Sequence, residues 1–262
     1  MTAYSRTFKR ANHVSMSTVS GNAQRTLTDN YSGSYPRTSE IKQPLRHLLI
    51  LDFEANCDRN VKLYPQEIIE FPCVHFDLSK MTVVNRFHRY VQPTVHAAIT
   101  PFCTELTGIV QSMVENQPTL GEIMLEFESW LRDENLVILS KETSECNSAT
   151  ANATEASETF ILKPDTAFVT CGDWDLKSAL RRQCEYFSIS VPSYFDRWIN
   201  IKRMFFVATR QWPSSMMAML KFLNIRHTGR HHSGIDDALN ISEIAKRLAQ
   251  RGVQFEITST AH

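Results

Sequence analysis

Two carboxylates follow an apolar run near the start of the chain and could bind a metal ion together. The run from Leu48 to Leu51 is predicted to be a buried β-strand, with Asp52 and Glu54 after it. Because strand side chains alternate in direction, residues two apart leave the sheet on the same face. Like charges side by side in a buried site need a cation between them, and Mg²⁺ binds carboxylate oxygens. The pair therefore predicts half of a metal site, although two solvated acids would give the same pattern.

Two further acidic residues could complete this site. Asp175 follows Trp174 at the carboxyl end of a second predicted buried strand, where ligands of open α/β sheets collect. Asp237 stands at the predicted start of the last helix, and His232 precedes it by five residues in a glycine-containing loop. Either acid could instead stabilise a helix N-terminus through the helix dipole. His232 could equally be a solvated loop residue.

Together these residues have the composition of a two-metal centre for phosphoryl transfer. Asp52, Glu54, Asp175 and Asp237 could hold two Mg²⁺ ions about 3.5–4 Å apart, an arrangement that clamps the attacking and leaving oxygens. His232 would take the proton from the attacking water, since an unperturbed imidazole pKa near 6.5 suits a general base. Four carboxylates and a histidine at these positions favour this hypothesis over solvated acids.

The elements that must position these residues are predicted from hydrophobic patterns. Three successive strands with short links, ending before Pro93, predict an antiparallel meander. A short helix closed by Gly108 and an amphipathic helix from Thr119 follow. Strands and helices then alternate to a last helix from about Ile235 to Arg251. This order predicts an α/β domain with a mixed sheet.

The domain is predicted to span residues 45–258. Residues 1–44 are rich in serine and threonine and predict a disordered arm, and residues 140–159 predict a flexible loop insertion. We expect a cytoplasmic or nuclear protein, although a basic arm of this kind is also compatible with a mitochondrial presequence. No apolar run approaches the roughly 20 residues needed to cross a bilayer, so no membrane association is expected.

The formal net charge is zero, but the charge is unevenly distributed. Residues 177–251 contain 13 lysines and arginines against five acidic residues. Such an excess attracts phosphate, although solvated helix faces look similar. The six cysteines lack the spacing of a zinc site and of a disulfide framework, which fits a reducing compartment.

The three acidic sites resemble the exonuclease motifs of the DEDDh group of 3′→5′ exonucleases. Three further blocks, at residues 66–72, 102–109 and 198–201, are similar to the exoribonuclease family of the histone-mRNA 3′ exonuclease and enhancer-of-RNAi proteins. The segment from Val169 to Lys177 most resembles the prion-protein-interacting exoribonuclease branch of this family. The resemblance covers about residues 46–258.

The resemblance implies a ribonuclease-H-like exonuclease fold, with a five-stranded mixed sheet flanked by helices. It implies hydrolysis of RNA from its 3′ end to nucleoside 5′-monophosphates, with two Mg²⁺ ions as cofactors and Mn²⁺ as a substitute. Single-stranded RNA or an RNA 3′ overhang would be the substrate, and protein partners are unknown. The aromatic residues Phe102 and Trp174 would stack on the terminal base. The other implied substrate contacts are Phe53, Ala55, Leu106, Thr107 and His232.

At two positions a neighbouring residue could take the role assigned to a site residue. His231 stands where the family usually has proline, so a second imidazole competes with His232 for the base role. Asp173 competes in the same way with Asp175, although the position after the aromatic residue is the family's ligand position. Two other functions remain as alternatives: a DNA 3′→5′ exonuclease with the same carboxylates, and a catalytically weak protein-interaction scaffold.

Overall fold

The structure is a computed structural model that describes residues 43–140 and 159–261. The predicted disordered arm and the predicted loop insertion therefore lie outside the described residues, apart from one or two residues at their edges. Within the described ranges, no helix combines the length and apolar character needed to span a membrane.

Nine strands and seven helices make up the regular structure of the described residues. The strands are β1 (His47–Leu51), β2 (Glu54–Ala55), β3 (Ile68–Asp77), β4 (Thr82–Tyr90), β5 (Val137–Leu139), β6 (Phe160–Leu162), β7 (Thr166–Thr170), β8 (Arg197–Asn200) and β9 (Ser259–Thr260). The helices are α1 (Pro101–Thr107), α2 (Gln111–Val114), α3 (Leu120–Asp133), α4 (Leu180–Tyr186), α5 (Ile201–Thr209), α6 (Met216–Phe222) and α7 (Gly234–Gln250). A π turn, Asp175–Ala179, leads directly into α4, and a short 3₁₀ turn, Ser193–Phe195, precedes β8.

Seven strands form one mixed sheet, and β5 and β6 form a separate hairpin. Strands β1, β3 and β4 are antiparallel neighbours, which confirms the predicted meander. On the other side of β1, strands β7 and β8 run parallel to it, and β9 closes the edge antiparallel to β8. The predicted count of five strands is wrong by two. The additional strands, β2 and β9, have two residues each and are too short to appear as apolar runs.

The sheet is covered on both faces, as the continuous apolar run of β1 predicted. Leu48 and Ile50 pack in a core that contains residues of α5, α6 and α7. Leu49 and Leu51 pack in a second core with residues of α3 and α4. All four side chains are fully buried. This alternation places the next even-numbered positions, those of Asp52 and Glu54, on the α7 side of the sheet.

Helix α1, which carries three of the predicted substrate contacts, has the boundaries that the sequence indicates. The Thr100 hydroxyl accepts a hydrogen bond from the Cys103 backbone N–H (3.0 Å) at its N-terminus. At its C-terminus Gly108 has φ +82°, the left-handed conformation that favours glycine. Phe102 and Leu106 lie one turn apart on this helix.

Candidate active site

Most of the predicted site residues line one open cavity at the carboxyl end of β1. The cavity has a volume of about 300 Å³. The predicted residues around it are Asp52, Phe53, Glu54, Ala55, Leu106, Trp174, Asp175 and His232. Strands β1 and β7 are parallel neighbours, so the residues that follow them meet at the same edge of the sheet.

Asp175 reaches the cavity because the π turn begins directly after the loop that follows β7. Its side chain is buried, and its Oδ1 accepts a hydrogen bond from the backbone N–H of Phe53 at 2.9 Å. This bond ties the end of β7 to the end of β1. Burial raises the pKa of Asp175 to about 6, although the hydrogen bond from Phe53 acts in the opposite direction.

Helix α7 brings Asp237 to the same place because its N-terminus lies directly against β1 and β3. The backbone N–H groups of Gly234 and Ile235 donate to the Glu70 carboxylate at 2.9 and 3.1 Å. A Cβ atom at Gly234 would clash with the carbonyl oxygen of Asp52, so only glycine permits this approach. Asp237, in the first turn of the helix, is consequently buried among the other acids.

His232 lies in the loop before α7 in a conformation that is unusual for a residue with a side chain. Its φ is +64°, and its backbone N–H donates to Asp237 Oδ2 at 3.0 Å. A ring nitrogen of His232 and carboxylate oxygens of Glu54 and Asp237 all lie within 4.8 Å of one another. Burial lowers the pKa of His232, and the neighbouring His231 lowers it further, while Asp237 opposes both. These influences favour a neutral imidazole, which can accept a proton.

The carboxylates repel one another strongly in the absence of a cation. Burial raises the pKa of Asp52 well above its ordinary value, and the charges of Asp175, Glu54 and Asp237 raise it further. Burial also raises the pKa of Glu54 to about 9, with the charge of Glu70 as the next cause. Oxygen donors at this density fit hard cations such as Mg²⁺ or Mn²⁺, which would permit all four acids to ionise.

The competing residue Asp173 does not line the cavity. Its Oδ1 accepts hydrogen bonds from Trp198 Nε1 (3.0 Å), Asn200 Nδ2 (3.2 Å) and Ser259 Oγ (2.7 Å). Burial alone would raise the pKa of Asp173, but the three hydrogen bonds outweigh it and lower that pKa. Asp173 therefore fixes the loop after β7 to β8 and β9, and Asp175 is the acid that faces the cavity.

The two predicted stacking residues lie in adjoining cavities. Trp174, with 41% of its surface exposed, lines the cavity of the carboxylates. Phe102 lines a second cavity of about 430 Å³, together with Arg230 and His231. Leu106 and His232 belong to both cavities, so the two form one groove.

Other predicted contacts are less available to a ligand. Thr107 is buried and lines neither cavity. Its hydroxyl donates a hydrogen bond to the Cys103 carbonyl (2.9 Å) and accepts one from the Ile109 N–H (3.1 Å). Phe53 is also buried, with its ring packed on that of Phe71 at 4.6 Å between centroids. Its backbone, rather than its ring, holds Asp175.

Sequence reasoning missed Glu70 and the arginines of the groove. Glu70 is buried in β3 opposite Glu54, and besides the N-terminus of α7 it contacts His88 Nε2 at 2.8 Å. The signal was a carboxylate within a strand of apolar residues, since a buried charge requires several donors. Arg230 donates to the Glu105 carbonyl at 2.6 Å, which joins α1 to the loop of His232. The Arg59 guanidinium lies 5.0 Å from the centroid of the Phe102 ring.

The metal-free protein is expected to lose stability as the pH rises. The pKa values of Asp175 and Glu54 are raised from 3.8 and 4.5 to about 6 and about 9 in the folded state. The folded state thus retains protons that the unfolded chain releases. The stabilisation is complete below about pH 4 and is lost as the pH rises through both folded-state values.

Thermal unfolding in EDTA at several pH values between about 6 and 9 measures this loss. The midpoint should fall by several degrees across this range in EDTA, and millimolar Mg²⁺ should restore it. The Glu54→Gln variant, which lacks one of the two groups, should show a weaker pH dependence. Equal slopes for this variant and the unmodified protein would contradict the prediction.

Comparison with known proteins finds similar exonucleases. A family model described as exonuclease matches residues 49–151. The chain is 43% identical over 220 residues to ERI1 exoribonuclease 3 of Homo sapiens, an alignment that covers 83% of this chain and 58% of that protein. The chain thus spans less than two thirds of the length of this relative.

Two solved structures have the same fold. The nuclease domain of 3′hExo, a DEDDh family member bound to rAMP, matches with a TM-score of 0.69 and 26% identity over 82% of this chain and 98% of that one. A structure of histone mRNA stem-loop recognition by 3′-exonuclease matches with a TM-score of 0.69 and 25% identity, covering 83% of this chain and 88% of that one. They confirm the ribonuclease-H-like exonuclease fold. On the combined agreement of motifs, fold and relatives, the chain belongs to the DEDDh 3′→5′ exoribonuclease family of the ERI1 type.

Proposed function

We propose that this protein is a metal-dependent 3′→5′ exoribonuclease that hydrolyses RNA from its 3′ end to nucleoside 5′-monophosphates. The observation that carries the proposal is the convergence of Asp52, Glu54 and Asp175 on one cavity beside His232, with the buried Asp237 carboxylate within 4.8 Å of ligand atoms of Glu54 and His232. Membership of a family whose relatives are named exoribonucleases supports the choice of reaction. In phosphoryl transfer, metal ions held by such a cluster of carboxylates stabilise the negative charge that develops on the phosphate.

The four carboxylates would hold two Mg²⁺ ions, which supply the positive charge that stabilises in-line displacement at phosphorus. The neutral His232 imidazole would accept a proton from the attacking water. The water oxygen forms a bond to phosphorus as the bond to the 3′ oxygen of the preceding nucleotide breaks, and that oxygen takes up a proton. Asp237 accepts a hydrogen bond from the backbone N–H of His232 and so orients the loop that carries the base.

The groove favours an unpaired 3′ end as the substrate. Trp174 and Phe102 lie in its two adjoining parts, and bases that are not paired are free to stack on aromatic rings. Arg59 and Arg230 place positive charge at the end of the groove that contains Phe102, where a nucleotide backbone could follow. Single-stranded RNA or an RNA 3′ overhang fits this arrangement.

Replacing Trp174 with alanine is expected to lower kcat/KM for a short single-stranded RNA by about 5- to 150-fold, since base stacking contributes about 1–3 kcal/mol. The loss should appear mainly in KM, because the tryptophan holds the base and takes no part in proton transfer. Trp212→Ala is the matched control, because Trp212 is also exposed and lines neither cavity. Steady-state kinetics on both variants would refute the stacking role if the two substitutions had the same effect.

A cleavage assay with end-labelled oligonucleotides tests the proposed function. With Mg²⁺, 5′-labelled single-stranded RNA should shorten progressively, and 3′-labelled RNA should release a labelled mononucleotide at once. EDTA should stop both reactions. Equal or faster cleavage of a matched DNA would favour the DNA exonuclease instead, because 2′-hydroxyl contacts decide between the two substrates. Failure to cleave either nucleic acid would favour the scaffold.

A further inference from the structure

We propose that His227, His231 and Asp237 form a second metal site, specific for Zn²⁺ and similar transition metals, and that occupation of this site inhibits the active site. The metal site itself stands on the geometry of three side chains. Only the inhibition rests on the proposed nuclease function.

The three side chains present ligand atoms to a common point. One ligand atom from each of the three lies within 4.8 Å of the other two. His231 Nδ1 is 3.4 Å from Asp237 Oδ1, and His227 Nε2 is 3.7 Å from the same oxygen. A tetrahedral Zn²⁺ with bonds of about 2.0–2.1 Å places its ligand atoms about 3.3 Å apart. The two contacts between imidazole and carboxylate are already close to this spacing.

His227 supplies an independent sign that a ligand is missing. Its Nε2 atom is buried, and no hydrogen-bond partner for it is found among the described residues. Buried polar groups are normally paired, because an unpaired one loses its hydration without compensation. A metal ion between His227 and Asp237 would satisfy this nitrogen.

The loop that carries both histidines is held in place by α7. Thr228 N–H donates to Asn240 Oδ1 at 3.1 Å, and Asn240 Nδ2 donates back to the Thr228 carbonyl at 2.8 Å. Further along the loop, Arg230 N–H donates to Asp236 Oδ2 at 2.8 Å. The loop is thus fixed to the helix that carries Asp237, so the three ligands are held together before a metal binds.

The donor atoms select a different metal from that of the active site. Two imidazole nitrogens and one carboxylate oxygen favour Zn²⁺, Co²⁺ and related ions, whereas Mg²⁺ prefers oxygen ligands. Three protein ligands leave a fourth tetrahedral position for water. The His231 side chain is 41% exposed, which provides a path from solvent.

Inhibition follows because Asp237 is shared. The same carboxylate lies within 4.8 Å of ligand atoms of Glu54 and His232 in the active site. While the Asp237 carboxylate binds a metal ion together with His227 and His231, it cannot neutralise the charge of a metal ion in the catalytic centre. The His231 ring also stacks on that of His232, with centroids 3.9 Å apart, so a metal on His231 would restrict the base.

Cobalt binding tests the metal site without reference to activity. In the full chain with Asp52→Asn and Glu54→Gln, which weakens the active-site metal centre, Co²⁺ should produce the visible absorption of a tetrahedral complex, and Zn²⁺ should displace it. Adding His227→Gln or His231→Gln should weaken Co²⁺ binding at least about tenfold. His96→Gln is the matched control, because His96 belongs to neither histidine cluster. Absence of the absorption, or equal affinity in all variants, would overturn the site.

A Zn²⁺ titration in the presence of Mg²⁺ tests the inhibition. Each protein's RNA cleavage is expressed relative to its own rate without Zn²⁺. The concentration of Zn²⁺ that halves activity should rise at least about tenfold in His227→Gln, but not in His96→Gln. Equal inhibition of the unmodified protein and His227→Gln would overturn the coupling. If no variant cleaved RNA at all, the proposed function would fail, while the cobalt result would still decide the metal site.

Discussion

Asp52→Asn is expected to lower kcat for RNA hydrolysis in Mg²⁺ by about 100- to 1,000-fold or more, the loss typical of removing one preorganised electrostatic group. Burial raises the pKa of Asp52, and the charges of Asp175, Glu54 and Asp237 raise it further. Asparagine retains the shape of the side chain but removes one of the charges that attract the metal ions. The kinetic loss should therefore arise from weaker metal binding.

The same substitution should not damage the fold. It removes a negative charge from a cluster in which like charges repel, so the midpoint of thermal unfolding in EDTA should equal or exceed that of the unmodified protein. The increase in midpoint that Mg²⁺ produces should become smaller. Asp133→Asn is the control, because Asp133 is an exposed acid at the end of α3. A fully active Asp52→Asn protein would be incompatible with the metal assignment.

Local patterns were sufficient to predict the acids after β1 and β7. Both strands are buried apolar runs, and parallel neighbours bring the residues that follow them to one edge of the sheet. Asp52 and Asp175 could therefore each be predicted as ligands at a strand end, whereas the pairing of β1 with β7 is seen only in the structure. The alternation of Leu48 and Ile50 with Leu49 and Leu51 likewise follows from strand geometry alone.

Features that depend on contacts between distant segments could not be predicted in this way. Strands β2 and β9 exist only because their two residues pair with longer strands. Asp173 is held away from the cavity by hydrogen bonds from side chains of β8 and β9, and no local pattern reveals these bonds. The position of α7 depends on Glu70 and on the absence of a side chain at Gly234. These features appear only once the chain is folded.

His232→Asn is expected to lower kcat by about 10²–10⁴-fold, the range for loss of a general acid or base. Asparagine is preferable to alanine at this position, because the backbone has φ +64° and asparagine tolerates the left-handed conformation. The backbone N–H would still donate to Asp237, so the metal ligands should remain in place. The stabilisation by Mg²⁺ in thermal unfolding should accordingly be retained while cleavage is lost.

Comparison with His231→Asn decides which imidazole is the base. His231 directs its Nδ1 at Asp237 (3.1 Å), whereas His232 lines both parts of the groove. We therefore expect the kcat of His231→Asn to be at least about tenfold higher than that of His232→Asn. The reason is that His231 supports Asp237 and does not take the proton. The acid limb of the pH–rate profile, which reports the base, should disappear only in His232→Asn. The reverse order of effects would assign the base to His231.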